Sequence, residues 1–444
     1  MISLRSFFSI VLILILFTSC SGKKSPEGIR EPVFTYFDDL KVDFSKKSDL
    51  KTPDVKSTKN YYGNNSILNK RVENYYINQD LTKKRIKKKK YKLGKKRRIF
   101  QNKHFIPTNP VIVDDVLYNV SSNGFLYARN MKKIKKPLWK IKIVKWKRLK
   151  ELFYVKISST ENKELVLLNN LGEIKLISLG KKEIIWSKNI SSIPISNPII
   201  NKDTIYFITN NNQLYALNKS DGKIKWIHSG IEKNTAILGV ANPVIYENMV
   251  FASYSSGELY AIEQKTGNTI WSETLIQKVN NFNKLKTSDI DATPIIKDDK
   301  IYAVSNAGVL AALELQTGKK IWKKNFASIT NYWLVDKFIF VINNNNILVS
   351  IDIKNGAVQW TKEFQKFKKE KKKKKPIVYR SLIMGDGNLL VFNSKKQLLV
   401  TSPKNGETIR TFKLRHNITD IPFVVYGKLY LTTLKGRKIR LMGI

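Results

Sequence analysis

One stretch decides the fold: residues 243–271 read PVIYENMVFASYSSGELYAIEQKTGNTIW. Short runs rich in β-branched and aromatic residues alternate there with turn signals at residues 247–248, 255–257 and 265–267. Runs of this length bounded by such residues predict strands joined by hairpin turns. The stretch therefore predicts one small antiparallel sheet of four strands.

The second half of this unit recurs along the chain. Its copies are LYALNKSDGKIKW at 214–226, LYAIEQKTGNTIW at 259–271, LAALELQTGKKIW at 310–322 and LVSIDIKNGAVQW at 348–360. In each copy a glycine precedes a tryptophan by four residues, which predicts a turn of positive φ followed by a large ring at a fixed depth. A fifth copy at 398–410 keeps Gly406 but has Arg410 where the others have tryptophan.

The period of the repeat predicts the architecture. A four-stranded unit recurring about every 40 to 50 residues is typical of a β-propeller. We predict an all-β, eight-bladed β-propeller of four-stranded antiparallel blades over residues 95–444. The eighth unit stops before its fourth strand, and we expect a strand from the other terminus, residues 97–103, to complete it, which leaves no free edge.

The net charge of +45 is concentrated in two runs. Residues 83–98 hold 12 basic residues and no acid, and residues 368–375, which we expect to form an exposed loop, hold seven lysines and one glutamate. Such a balance favours either simple solubility or an anionic partner.

The N-terminus predicts export. Arg5 is followed by an apolar run over residues 7–17, too short to span a bilayer, which is typical of a signal peptide. The run ends in small residues before Cys20, the only cysteine, so neither an intrachain disulfide nor a cysteine metal cluster is expected. Residues 17–20 resemble the lipobox of bacterial lipoproteins, which implies a signal peptide over 1–19 and acylation of Cys20. A double or triple acyl anchor holds a protein stably on a membrane.

Residues 20–94 predict a flexible tether, because lysine, serine and asparagine dominate and no period is sustained. The serine after Cys20, instead of an aspartate, favours the outer membrane on its periplasmic side by the same resemblance. An exported, lipid-anchored protein is not expected to bind nucleic acid.

Catalysis finds little support in the sequence. The three histidines, His104, His228 and His416, lie in different units without metal-ligand spacing, and His228 is expected at the surface. The acidic pairs at 114–115 and 298–299 stand where hairpin turns are expected. We predict no catalytic residue, no metal site and no cofactor.

The repeat at 216–226 and 261–271 resembles that of quinoprotein dehydrogenases. Those enzymes carry a cofactor cage with adjacent cysteines, whereas the one cysteine here lies in the lipobox. A lipid-anchored eight-bladed propeller with this repeat instead resembles the BamB family, lipoproteins of the outer-membrane β-barrel assembly machinery. That resemblance covers residues 95–444 and the lipobox, and it implies a non-catalytic scaffold.

The resemblance also implies a binding site for the periplasmic POTRA domains of BamA. The segment SDIDATP at 288–294 is similar to a family segment whose acids face those domains, here Asp289 and Asp291. The loop AILGVANP at 236–243 resembles the other half of the contact, with Ile237 keeping its apolar part and Leu238 where the family usually has arginine.

Two functions follow as expectations. The first is a scaffold that supports the folding and insertion of outer-membrane proteins, with BamA, the rest of its complex and unfolded outer-membrane proteins as partners. The alternative is an envelope propeller that binds anionic polymers or lipids through the lysine-rich segments.

Overall fold

The structure is a computed structural model. It describes residues 89–92, 105–106, 110–121, 124–131, 136–144, 153–231, 241–277, 290, 292–328, 330–370, 373–385, 387–414, 418, 422–425, 428–435 and 438–443. Within these ranges the protein is built from β-strands and turns, arranged as a β-propeller.

We number the sheets in chain order, after the first strands β1 (Lys89–Lys92) and β2 (Phe105–Ile106). Sheet 1 has β3 (Val111–Val113), β4 (Val116–Val120), β5 (Phe125–Asn130) and β6 (Trp139–Lys142). Sheet 2 has β7 (Phe153–Ser159), β8 (Glu164–Asn169), β9 (Glu173–Ser178) and β10 (Glu183–Asn189). Sheet 3 has β11 (Ile199–Asn201), β12 (Thr204–Ile208), β13 (Gln213–Asn218) and β14 (Ile224–Ser229). Sheet 4 has β15 (Val244–Tyr246), β16 (Met249–Ser253), β17 (Glu258–Glu263) and β18 (Thr269–Thr274).

Sheet 5 has β19 (Ile295–Lys297), β20 (Lys300–Val304), β21 (Val309–Glu314) and β22 (Lys320–Asn325). Sheet 6 has β23 (Trp333–Val335), β24 (Phe338–Ile342), β25 (Ile347–Asp352) and β26 (Val358–Glu363). A separate hairpin, β27 (Phe367–Glu370) and β28 (Lys373–Pro376), precedes sheet 7, which has β29 (Tyr379–Gly385), β30 (Asn388–Asn393), β31 (Gln397–Thr401) and β32 (Thr408–Lys413). Sheet 8 has β33 (Phe423–Val425), β34 (Lys428–Lys435), β35 (Lys438–Gly443) and β1.

Seven of these sheets have four antiparallel strands, and sheet 2 has a fifth because β2 pairs in parallel with β7. This arrangement of the described strands fits the predicted eight blades. The second strands of sheets 3, 4 and 6 are buried at every residue, as expected for sheets covered on both faces. The core consists of apolar layers between consecutive sheets, for example Ile208 of sheet 3 against Val250 of sheet 4.

The predicted turn and tryptophan are confirmed. Gly222, Gly267, Gly318, Gly356 and Gly406 all have φ between +70° and +80°. After the first four of these glycines, the tryptophan four residues later stands opposite a small residue of the third strand, as Trp271 stands opposite Ala261, and a β-bulge follows at once.

Each tryptophan then joins its own sheet to the next. A Cβ built on Gly318 would lie 2.6 Å from the ring of Trp271, so the glycine of sheet 5 leaves room for the tryptophan of sheet 4. Trp271 Nε1 also donates a hydrogen bond of 2.9 Å to Leu315 O. The same pair of contacts links sheets 2 to 3, 3 to 4, 5 to 6 and 6 to 7, through Trp186, Trp226, Trp322 and Trp360.

Sheet 8 is completed from the other end of the chain, as predicted, but by a different segment. Its fourth strand is β1, paired antiparallel with β35 from Lys89 opposite Gly443 to Lys92 opposite Arg440. The prediction of residues 97–103 is wrong because those residues stand outside this pairing. β1 precedes residue 95, so the closing strand comes from the segment expected to be a tether. The remainder of that tether lies outside the described residues and stays a prediction.

The lysine-rich run 368–375 is not simply a loop. β27 and β28 pair as a hairpin with Lys368 opposite Lys375 and Lys369 opposite Lys374. The prediction failed here because consecutive lysines have low strand propensity, and only the pairing of the two runs reveals the strands.

Candidate partner-binding face

All five residues predicted as sites lie outside the described residues: Cys20, Ile237, Leu238, Asp289 and Asp291. The structure describes the residues that follow or flank four of them. These belong to one end of the propeller, which we call the connection face: the end where the fourth strand of a sheet is followed by the first strand of the next. Its described residues are 190–198, 230–231, 241–243, 275–277, 290 and 292–294.

The two segments predicted to bind a partner meet at their C-terminal ends. Ala241 N donates a hydrogen bond of 3.3 Å to Ile290 O, although 49 residues separate them in the chain. Ala241 and Ile290 are 0% and 1% exposed and belong to one apolar cluster with Val244 and Leu275. Ile290, between the two aspartates in the chain, is thus buried in the core and lies next to Ala241.

A relay of hydrogen bonds fixes the same positions. Three consecutive connections end in a polar residue before proline: Asn197, Asn242 and Thr293. Asn197 N donates to Asn242 Oδ1 over 2.9 Å, and Asn242 N donates to Thr293 Oγ1 over 3.1 Å. Sequence reasoning missed this relay, although the recurring Asn-Pro or Thr-Pro pair before each first strand was a visible signal.

His228 lies beneath the connection between sheets 3 and 4, and the expectation of a surface residue is wrong. It is 8% exposed and stacks on Tyr254, with ring centroids 5.9 Å apart. Its Nδ1 is 2.8 Å from Tyr254 Oη and its Nε2 is 2.9 Å from Thr269 Oγ1. Burial lowers the pKa of His228 and raises that of Tyr254 well above its ordinary value. The prediction failed because the covering side chains come from the neighbouring sheet.

Sheet 4, between the two predicted segments, is acidic in a very basic protein. Residues 244–274 carry four glutamates and one lysine, a net charge of −3. Glu258 accepts hydrogen bonds from Ser256 and Tyr260, and Glu273 forms a 2.6 Å ion pair with Lys320 of sheet 5. Glu258 and Glu273 stand at the ends of β17 and β18 that lie next to the connections, and both are held there by these contacts. Glu247 and Glu263 stand at the opposite ends of the strands.

Exposed aliphatic side chains stand on the same face. Ile193, Ile231 and Ile276 are 38%, 61% and 37% exposed, and each lies in a different connection, between sheets 2 and 3, 3 and 4, and 4 and 5. Three consecutive connections thus each give this end of the propeller one exposed apolar side chain.

The other acidic pairs are turn residues, as predicted. Asp298 and Asp299 have φ of 50° and 55°, and Asp114 and Asp115 have φ of 45° and 62°, as in hairpin turns with two left-handed residues. In the described ranges no cluster of histidine, cysteine and acidic residues is arranged to hold a metal. No helix in those ranges has the length and apolar character needed to cross a membrane.

Comparison with known proteins gives one family. A family model described as outer membrane protein assembly factor BamB matches residues 136–362. Proteins of that name from Yersinia pestis and Moranella endobia are 24% and 26% identical over 34% and 38% of this chain. The matched stretches span about two fifths of those relatives' own length, 38% and 43%.

Solved structures agree in fold. The crystal structure of BamB from Moraxella catarrhalis has a TM-score of 0.62 at 16% identity, covering 80% of this chain and 99% of that one. A europium-containing methanol dehydrogenase has a TM-score of 0.58 at 12% identity, covering 78% of this chain and 84% of the other. At these identities the likeness shows the fold alone.

The family model runs from sheet 1 into the last strand of sheet 6 and so covers just over half of the chain. Its match includes both segments that meet at Ala241 and Ile290. The chain belongs to the family of outer membrane protein assembly factor BamB.

Proposed function

We propose that this protein is a non-catalytic scaffold of the outer-membrane β-barrel assembly complex. It binds the periplasmic POTRA domains of a BamA-type protein through the connection face around sheets 4 and 5. Acylated Cys20 anchors it to the outer membrane, facing the periplasm. In this position it supports the folding and insertion of outer-membrane proteins, which are its indirect or transient clients.

The joining of two distant segments carries the proposal. The hydrogen bond between Ala241 N and Ile290 O joins the described residues nearest in the chain to Leu238, Asp289 and Asp291. This proximity supports a single site to which both segments contribute. A two-part contact of apolar and acidic residues needs this proximity, which the sequence spacing does not provide.

The chemistry of the sector suits a basic partner surface. Asp289 and Asp291 flank the buried Ile290 and are acids in a very basic protein, so we expect them to attract and orient a positively charged partner surface. Ile237, Leu238 and the exposed Ile231 supply apolar area, which contributes more to affinity than rim charges do. The aspartates are thus expected to set orientation and association rate, and the aliphatic residues to set dissociation rate.

A scaffold role is supported by the family name, which describes an assembly factor. The likeness to a methanol dehydrogenase concerns the propeller fold, which many unrelated functions share. The function is therefore argued from the connection face and not from the fold.

The experiment is a binding titration between the chain and the POTRA domains of the same organism's BamA homologue. The test variant is Asp289→Ala/Asp291→Ala. Its control is Glu161→Ala/Glu407→Ala, which removes two exposed acids from sheets 2 and 7 and changes the net charge equally. We expect about a tenfold loss of affinity in the test variant and none in the control.

The outcomes separate the parts of the proposal. If both variants bind with unchanged affinity, the partner is confirmed but the two aspartates do not contact it. If both variants lose affinity equally, the effect comes from net charge and not from the position of the aspartates. Absence of binding by the unchanged protein, at low and at moderate salt, rejects the scaffold function.

A separate experiment tests the anchor. At high salt the variant Cys20→Ser is expected to leave the membrane fraction for the soluble periplasmic fraction, because acyl chains supply the attachment that salt does not weaken. Retention of this variant in the outer-membrane fraction at high salt would contradict an acyl anchor at Cys20.

A further inference from the structure

Sheet 8 has a charge unlike that of the other sheets. Its four strands carry seven basic residues and no acid: Lys89, Lys90, Lys92, Lys428, Lys435, Lys438 and Arg440. The turns between its strands add no acid, since the sequence from 423 to 443 contains none, whereas each of sheets 1 to 7 contains at least two acids between the start of its first strand and the end of its last. Sheet 8 therefore differs from the other sheets because it contains no acid that could neutralise its own cations.

Protection of a sheet edge does not explain this charge. Lysine on an exposed edge strand prevents pairing with other chains, and β1 is such an edge. Arg440 on β35, however, is paired on both sides, with Lys92 of β1 and Thr433 of β34. Edge protection gives no reason for a cation at this position.

The register places like charges opposite one another. Lys92 is the partner of Arg440 between β1 and β35, and Lys435 is the partner of Lys438 between β34 and β35. Directly opposite like charges destabilise a sheet. An anionic surface beside the sheet relieves this repulsion, so binding and the stability of the closing sheet are coupled.

The junction with sheet 7 carries a further cation. The tryptophans of sheets 2 to 6 pack on a glycine turn between the third and fourth strands of the next sheet. Sheet 8 has no such turn, because its third strand ends near the C-terminus and its fourth strand begins elsewhere. Arg410 occupies the tryptophan position in sheet 7, opposite Val400, with its guanidinium carbon 5.1 Å from the Phe412 ring centroid.

The closing sheet is also where the N-terminal part of the chain enters the propeller. β1 lies 69 residues after Cys20 and is the first described strand. It belongs to the run 83–98, which holds 12 basic residues and no acid. Sheet 8 is therefore the sheet nearest to Cys20 along the chain.

We propose that sheet 8, with β1 as its outer strand, docks on an anionic phospholipid surface. The lipid phosphates bind the lysine and arginine side chains, and the contact holds the propeller at a fixed orientation on the membrane, with sheets 4 and 5 on another sector. This role rests on the proposed membrane location. It does not depend on POTRA binding, which is measured without lipid, so the two proposals fail separately.

The experiment measures sedimentation with vesicles. The mature chain carrying Cys20→Ser, which has no acyl chain, is mixed with phosphatidylcholine vesicles or with vesicles in which about a third of the lipid is phosphatidylglycerol. We expect binding to the anionic vesicles alone and a steep decrease as salt rises. Lys89→Gln/Lys90→Gln/Lys92→Gln is expected to lower the partition coefficient at least about tenfold.

Two further variants control the test. Lys319→Gln/Lys354→Gln/Lys404→Gln removes three exposed lysines from sheets 5, 6 and 7 and is expected to bind nearly as the unchanged protein does. Lys89→Arg/Lys90→Arg/Lys92→Arg keeps the charge and is expected to restore binding. Its recovery shows that a loss in the glutamine variant comes from charge, and thermal unfolding of each variant shows whether β1 still closes sheet 8.

Three results overturn the proposal. One is an equal loss of vesicle binding in the glutamine variants of sheet 8 and of sheets 5 to 7, which would mean that net charge alone explains the binding. Another is unchanged binding by the Lys89→Gln/Lys90→Gln/Lys92→Gln variant. The third is failure of the unchanged chain to bind anionic vesicles while it binds soluble polyphosphate, which assigns the sheet to a soluble polyanion.

Discussion

Sheets 4 and 8 show two different ways to build a blade. Sheet 4 is continuous in the chain, carries a net charge of −3, and is joined to both neighbours by tryptophan and glycine contacts. Sheet 8 combines the two ends of the chain, carries only cations in its strands, and receives Arg410 where a tryptophan would stand. At sheet 8, therefore, both the contact with the neighbouring sheet and the charge of the strands differ from those of sheet 4.

The difference follows from topology. A tryptophan can seat only where the next sheet has a turn between its third and fourth strands, and sheet 8 lacks that turn. Residue 410 was thereby released from packing against a glycine. The closure is the one junction, among those from sheet 2 to sheet 8, at which the position is cationic. We infer that the ring is fastened by aromatic packing in sheets 2 to 7 and by strand pairing in sheet 8.

The largest expected effect on stability comes from placing an arginine at a tryptophan position. Trp360→Arg loses a ring that is 7% exposed and a 2.9 Å hydrogen bond to Pro403 O, and it places a charge against Gly406. We expect about 3–5 kcal/mol of destabilisation in denaturant unfolding. The reverse change, Arg410→Trp, is expected to alter stability by less than about 1 kcal/mol, since sheet 8 offers no glycine turn. Similar losses from both changes would contradict the role of the turn.

Removing the closing strand gives the next effect. A chain that begins at Leu93 lacks β1 and leaves β35 as an edge, whereas a chain that begins at Lys83 keeps the strand. We expect the shorter chain to lose about 2 kcal/mol, the value of a few strand hydrogen bonds, and to be cut by protease first near its C-terminus. Equal stability and equal protease patterns would show that β1 does not close sheet 8.

A series of glycine variants measures how much the contact between tryptophan and the glycine turn contributes to stability. Gly318→Ala meets Trp271 at 2.6 Å and has φ of +72°, so we expect a loss of about 2–3 kcal/mol. Gly387→Ala shares the positive φ, at +66°, but meets nothing within 4 Å, so it isolates the backbone strain of about 1 kcal/mol. Gly180→Ala has neither feature and is expected to be neutral or slightly stabilising.

The smallest effect concerns pH at His228, which lies on β14 of sheet 3 and packs against sheet 4. Burial holds the pKa of His228 below its ordinary value, so the unfolded chain takes up a proton more readily than the folded one. His228 therefore contributes stability above its unfolded pKa of about 6.5, and that stability is lost as pH falls through the lower folded pKa. His228→Gln is expected to flatten the pH dependence of the unfolding midpoint below about pH 7. An unchanged slope in this variant would contradict a buried, neutral histidine.

The predictable part of the fold is the part that repeats. Gly267 and Trp271 fix a turn and a depth, so the strands of sheet 4 and its contact with sheet 5 followed from spacing alone. β1 was missed because KKYK has no strand pattern and becomes a strand only by pairing with β35. His228 was misplaced because Tyr254 of the next sheet buries it, and contacts between sheets are not visible in one strand.

The candidate site was predictable in its residue types but not in its assembly. The sequence indicated two separate segments, at 236–243 and 288–294. Their proximity depends on the bond from Ala241 to Ile290 and on the relay through Asn197, Asn242 and Thr293, which arises only when three sheets stand side by side.

The central claim is that the connection face around sheets 4 and 5 binds the partner protein and that the basic closing sheet, sheet 8, does not. The most direct measurement is the POTRA-binding titration, without lipid, of three proteins: the unchanged chain, Asp289→Ala/Asp291→Ala and Lys89→Gln/Lys90→Gln/Lys92→Gln. We predict about tenfold weaker binding for the aspartate variant and unchanged affinity for the lysine variant. Unchanged binding by the aspartate variant together with weaker binding by the lysine variant would contradict the account.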